Sequence, residues 1–263
     1  MIKYKNNKYL DIEDNSEWTS VSDAIEMFKT PFDKITSSIK QSNTKKSKWY
    51  GIAPEKIREC WDRESANGKI KGIEYHKQKC SSSRRLSILE KEGRYINIIS
   101  PESKDEVMYA KDQKFDEGIY LENIIYLKSL RLCGRVDKFE IIDNILNIDE
   151  YKTYKELKKE SFERWDGKVR MLHCCRNLED CNYNHAALQL SLYAYIIQRN
   201  NPSLYIGDLT IQHVLFEVAY NDQYGYPVYK KDENDDYIVK EVIPYKAEYM
   251  KEEVKNILNY IKR

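Results

Sequence analysis

The side chains best suited to chemistry fall in one stretch, Gly134 to Thr153, GRVDKFEIIDNILNIDEYKT. Two apolar runs, Val136 to Ile142 and Ile145 to Tyr151, flank Asp143 and Asn144, the composition of an antiparallel hairpin closed by a two-residue turn. With Ile142 opposite Ile145, counting outward sets Asp137 against Glu150, and alternation along a strand puts Lys152 on their face. Facing carboxylates repel and serve no purpose in a sheet. A divalent cation between them removes the repulsion. Hard oxygen donors suit magnesium or manganese, and a lysine alongside can orient a water or stabilise charge on a phosphate. The competing reading is a surface hairpin whose Asp, Glu and Lys are solvated or paired with one another.

The elements that must position this hairpin can be read in chain order. Residues 1–66 read as a helical N-terminal region, with hydroxyl caps in Trp18 to Ser22 and a stop at Pro31. Lys45, Lys46 and Lys48 lead into Trp49 and Tyr50, a basic and aromatic run that could follow a nucleic-acid backbone, though such runs are more often solvated loops with their rings in the core. Pro54 opens a helix, and a second helical stretch from about Gly68 carries Ile73, His76 and Cys80 on one side. Taken alone, His76 reads as a hydrogen-bonded structural residue. Arg84 and Arg85 follow, available to phosphate or to water.

Strands are expected at 95–99, 106–110, 122–127 and 130–133. Glu122, at the head of one, reads as a surface acid with a possible supporting role near the carboxylate pair. After the hairpin, His173, Cys174, Cys175, Cys181 and His185 lack the ligand spacing of known zinc sites, and no metal is expected there. An amphipathic helix over 186–199 sets Gln189 and Tyr193 four residues apart on one side. A strand over 209–218, another over 237–242 and a closing helix over 247–261 complete a layered α/β chain read as one domain, with 67–218 as its core and 219–263 as a C-terminal strand and helix.

The chain has 263 residues with 44 basic and 43 acidic side chains, a formal net charge of +1. Any nucleic-acid contact must therefore come from a local patch. No apolar run is long enough to span a membrane and the start lacks a secretory h-region. Six cysteines without regular spacing point to reduced thiols and a cytoplasmic location.

Four short motifs, in this order, carry a family resemblance: G-x-x-x-H at Gly72 to His76, GRVD at Gly134 to Asp137, DEYKT at Asp149 to Thr153, and Q-x-x-x-Y at Gln189 to Tyr193. Together they resemble the PD-(D/E)XK nuclease superfamily and, within it, the RecB-like and bacteriophage exonuclease branch. WTSVS, KTPFD and WDRESANGK are also similar to phage members, so the resemblance spans about Trp18 to Glu217. It implies a restriction-endonuclease-like core, a central mixed β-sheet flanked by α-helices, carrying a helical N-terminal elaboration. It implies His76, Asp137, Glu150 and the Tyr151 carbonyl as ligands of magnesium, with manganese able to substitute, Lys152 as the catalytic lysine, and Gln189 and Tyr193 as supports. The expected activity is metal-dependent hydrolysis of DNA, of exonuclease type, in the cytoplasm. A DNA-binding module that has lost the reaction, or an RNA-cleaving endonuclease, are the alternatives. One departure stands out: phage relatives often have Glu four residues after the histidine, where this chain has Cys80, which implies either weaker activity or dependence on another acid such as Glu122 or Asp149, although strand alternation turns Asp149 to the face opposite Glu150.

Overall fold

The chain opens on strands. β1 (Ile2–Lys5) and β2 (Lys8–Asp11) form a hairpin, because Asn6 and Asn7 both take the left-handed conformation that a two-residue type I′ turn requires. This corrects the expectation of a wholly helical N-terminal region. The computed structural model describes residues 2–83, 87–91, 93–101, 103–104, 107–110, 112–164 and 167–262. β3 (Thr19–Ser20) precedes α1 (Val21–Glu26), whose N-terminus is capped by the Ser20 hydroxyl, and α2 (Lys34–Asn43) is capped by Asp33.

α3 (Pro54–Ser83) is one 30-residue helix where the sequence suggests two. Gly68 in its interior costs about 1 kcal/mol relative to alanine. No proline interrupts the backbone, and burial on both sides of the glycine, Ile57 and Cys60 before it and Lys71 and Tyr75 after it, anchors both halves.

The strands then follow in quick succession: β4 (Ile88–Lys91), β5 (Arg94–Ile99), β6 (Ser103–Lys104), β7 (Val107–Tyr109), β8 (Gly118–Leu127), β9 (Leu132–Ile142) and β10 (Ile145–Lys152). In the segment after the hairpin β11 (Glu163–Arg164) and β12 (Gly167–Lys168) form a short antiparallel pair. α4 (Asn182–Asn200), β13 (Tyr205–Phe216), β14 (Val218–Asn221), β15 (Pro227–Tyr229), β16 (Val239–Ala247) and α5 (Lys251–Ile261) complete the fold.

The result is an α/β fold around a mixed eight-stranded sheet in the order β16-β13-β10-β9-β8-β5-β4, with β3 beside β9. β8, β9 and β10 form an antiparallel meander. β13 lies parallel to β10, which requires a crossover, and α4 supplies it. α4 is buried along most of its length between the sheet and the helices α1 and α5, so its apolar residues from Ala186 to Ile197 surround the helix instead of forming one stripe. Among the described residues no helix is long and apolar enough to cross a membrane.

Candidate metal centre

The hairpin turn fixes the site's register. Asp143 and Asn144 are both left-handed, at φ 51° and 62°, giving the type I′ turn whose twist matches antiparallel strands. From Ile142↔Ile145 the ladder runs to Lys138↔Asp149, so Asp137 and Glu150 form the next rank. There the ladder gives way to a side chain: the Tyr151 backbone N–H donates to Asp137 Oδ2 at 2.8 Å.

A third acid belongs to the same rank. β8 pairs with β9 through Leu121↔Lys138 and again from Asn123↔Val136, which leaves Glu122 opposite Asp137. Glu122 has φ 53°, a conformation that costs an ordinary residue about 1–2 kcal/mol. The buried side of β9 changes at this point. Leu132 and Val136 reach the main core before it and Phe139 and Ile141 after it, so even-numbered residues hand over to odd-numbered ones and Asp137 sits at the seam. Strain of this kind is tolerated only where the surroundings impose it.

His76 of α3 completes the group. Its Nδ1 lies 3.3 Å from Asp137 Oδ1 and 3.6 Å from Glu122 Oε1, and one ligand atom from each of His76, Glu122 and Asp137 falls within 4.8 Å of the others. Such a cluster could hold a metal ion. A cavity of about 240 Å³ adjoins it, lined also by Lys138 and Tyr151. The Arg135 guanidinium holds Glu122 through Nε to Oε2 at 2.9 Å and lies 5.0 Å from the centre of the Tyr4 ring, so the N-terminal hairpin backs the site.

The electrostatics of this rank fit a cation. Burial, and next the charge of Glu150, push the Asp137 carboxyl well above the usual carboxylate range, with Glu122 adding to the effect and His76 opposing it. Burial alone would lower His76, but the hydrogen bond to Glu122 and the charge of Asp137 lift it to about 9. The site therefore retains protons that a cation would displace.

Glu150 lies outside the cluster of His76, Glu122 and Asp137. α4 positions it instead. Gln189 Nε2 donates to Glu150 Oε1 at 2.9 Å and to the Tyr193 hydroxyl at 2.7 Å, while Gln189 Oε1 accepts from Lys152 Nζ at 2.8 Å. Lys152 also donates to Glu150 Oε1 at 3.0 Å. Glu150 Oε2 is buried with no hydrogen-bond partner, and such an atom calls for an explanation such as an ion. Burial alone would lower the Lys152 ammonium, but Glu150 above all keeps it above the ordinary lysine value. Gly134 makes room for this network, because a Cβ there would enter the Tyr193 ring.

The remaining candidates sit elsewhere. Lys48 Nζ donates to the Tyr224 carbonyl at 2.7 Å and lies over the rings of Trp49 and Tyr226. Lys48 is exposed, as are Lys45 and Lys46 in the turn after α2. Arg84, Arg85 and the side chain of Cys80 lie outside the described residues. Asp149 is held by Lys138 at 2.8 Å and Gln212 at 2.9 Å. His185 is bound to Asp180 at 2.6 Å, His173 packs on Tyr260, and Cys174, Cys175 and Cys181 are free thiols.

Sequence reasoning undervalued Glu122 and passed over Arg135. The apolar run from Glu122 suggests a strand start there, but β8 begins at Gly118. In GIYLENIIYL a lone glutamate sits amid residues that are nearly all buried, and a charge inside so apolar a strand was the available clue. Comparison with protein-family models, with curated proteins and with solved structures finds no match for this chain.

Proposed function

We propose that this chain is a metal-dependent deoxyribonuclease that hydrolyses phosphodiester bonds at the rank of Glu122, Asp137 and Glu150. This follows the RecB-like and bacteriophage exonuclease branch of the PD-(D/E)XK superfamily that its motifs resemble. One observation carries the reading: three acids stand side by side on adjacent strands, out of water, with a histidine on one flank and a lysine on the other. The α/β architecture, a mixed sheet flanked by helices, is compatible with the restriction-endonuclease-like core that the resemblance implies.

His76, Glu122 and Asp137 would hold magnesium or manganese, with Glu150 Oε2 as the atom left to extend the set. Glu122 takes up the acidic role that Cys80 cannot. When bound, the cation would neutralise phosphate charge and make its water more acidic. Lys152 remains an ammonium, so it donates hydrogen bonds to the attacking water or to the phosphate oxygens and does not act as a base. Gln189 ties Lys152 to Glu150, and Tyr193 anchors Gln189, so the donor reaches the phosphate from a fixed direction. Attack of water on phosphorus in line with the 3′ oxygen breaks the P–O3′ bond and leaves a 5′ phosphate.

The test is digestion of end-labelled linear and covalently closed DNA with magnesium, by wild type and by Lys152→Ala. Degradation that needs the metal and is abolished by the substitution supports the nuclease. Retention of DNA without cleavage at any metal concentration overturns it in favour of a binding module, and preference for RNA would move the substrate.

A further inference from the structure

Lys71 is the other charge this fold has buried. It lies in the middle of α3, only 5% exposed, and none of the described carboxylates pairs with it. Its ammonium rests on aromatic faces, 4.0 Å from the centre of the Tyr229 ring and 5.1 Å from that of Phe216. Cation–π contact compensates part of the lost hydration, but three N–H donors are more than two ring faces can satisfy.

The cavities around it show where a further partner would come from. Lys71 lines two adjoining hollows of about 620 and 980 Å³, the size range that bound small molecules fill, about 300–1,000 Å³. Tyr154 and Lys155 line both as well. Of the three carboxylates in the walls, Glu217 pairs with Lys230, while Glu64 and Asp222 share the single charge of Arg63, which leaves one acid against the lysines. Lys69, Lys155 and Lys240 in the same walls form no ion pair among the described residues. The field in the groove is therefore positive although the whole chain is nearly neutral.

The groove begins, along the chain, directly after the acidic site. Thr153, Tyr154 and Lys155 directly follow Lys152, and Gly72, next to Lys71, lies against the Thr153 hydroxyl, with a Cβ position 3.4 Å from Thr153 Oγ1. Tyr154 is close enough to Lys152 to act on its charge; its half-buried ring packs against the main core on one side, on no other aromatic ring among the described residues, and lines both hollows on the other. Positive charge along a path with aromatic faces beside it is how a single strand is gripped, phosphates on the lysines and bases on the rings.

We propose that the groove over Lys71, Tyr154 and Lys155 is the track of one DNA strand entering or leaving the acidic rank, with Lys71 binding a phosphate and Tyr154 stacking a base. The proposal rests on the nuclease reading for its substrate, but binding in the groove is separable from cleavage. A solitary buried ammonium destabilises a fold, so its presence is explained by a ligand.

The experiment is fluorescence anisotropy of a labelled oligothymidine, titrated with protein in EDTA so that no cleavage occurs, over a range of salt. Lys71→Met should weaken binding about tenfold or more and Lys155→Ala less, each lowering the slope of log affinity against log salt by roughly one. Lys71→Met should also melt no lower than wild type. The proposal is overturned if Lys71→Met binds like wild type, if Lys45→Ala with Lys46→Ala costs as much as Lys71→Met, or if blunt duplex binds as tightly with the same dependence on Lys71. Failure of the nuclease reading would appear separately, as wild-type protein that does not cut DNA when magnesium is supplied.

Discussion

Two regions of this molecule hold charge away from water, and they hold it differently. In the acidic rank, like charges are gathered on neighbouring strands and partly offset by His76, Arg135 and Lys152. Around Lys71 a single charge is isolated and cushioned by rings. A crowd of acids lacks a concentrated positive charge, which a small cation supplies. A lone ammonium on aromatic faces lacks an acceptor, which a phosphate oxygen supplies. Neither arrangement serves stability, since apolar residues of the same volume would pack at lower cost. Under the proposed function the contrast makes the two regions complementary to different partners, a cation at one and a polyanion at the other.

The comparison can be broken most sharply at Asp137. Asp137→Asn should reduce metal-dependent cleavage by on the order of 10²–10³-fold, while the metal-free protein melts no lower, because a neutral amide replaces a carboxyl whose charged form burial and Glu150 already disfavour. Cleavage assays and calorimetry read the two effects, and loss of both activity and fold would remove the distinction drawn here. In wild type, titration with manganese should release protons, and affinity should rise with pH until His76 is neutral, near the value of about 9 that its acidic neighbours give it.

Lys71→Met comes next in size. Burial lowers the Lys71 ammonium from 10.5 to about 8. Below pH 8 it is charged in both folded and unfolded chains, and the burial penalty is complete, of order 3 kcal/mol. Between 8 and 10.5 the folded protein gives up its proton first, so wild-type stability rises with pH. The stabilisation by Lys71→Met in urea titrations should therefore be largest below pH 8 and fade towards pH 10.5. A destabilised Lys71→Met protein would mean that the ring contacts outweigh the burial cost.

Arg135→Gln sharpens the acidic half. It touches Glu122 and no other described ligand of the cluster, so metal affinity should fall about 10–100-fold, as for other groups that orient a ligand. An unchanged affinity would show that the strand alone fixes Glu122. The smallest effect is expected at Lys48→Ala, a loss of under about 1 kcal/mol from its ring contacts, with oligothymidine binding unchanged.

Much of this arrangement was legible in the sequence because the hairpin is local. The Asp-Asn bend, the strand period and the distance from bend to acid are all short-range facts, and they put Asp137 and Glu150 in one rank. Gln189 and Tyr193 were legible for the same reason, one helical turn apart on an apolar helix. Glu122 was not, because its place depends on a left-handed residue in a strand whose start was misjudged by four positions. The N-terminal hairpin was missed because Asn6 and Asn7 sit between two very short runs, the first of which pairs with β7, about a hundred residues away. Lys71 was invisible for a deeper reason. Its burial is imposed by Phe216 and Tyr229, which reach it only after the sheet and the β14–β15 hairpin have closed over α3.

The bend at Asp143 and Asn144 works as a ruler. Five residues intervene between it and each acid it aligns, with Phe139 and Ile148 among them. Lengthening it by one amino acid would slide β10 past β9 by a step and rotate Glu150 and Lys152 out from under Gln189, with Asp149 and Tyr151 turned inward instead. The tip of the loop thus governs chemistry from a distance, through arithmetic alone.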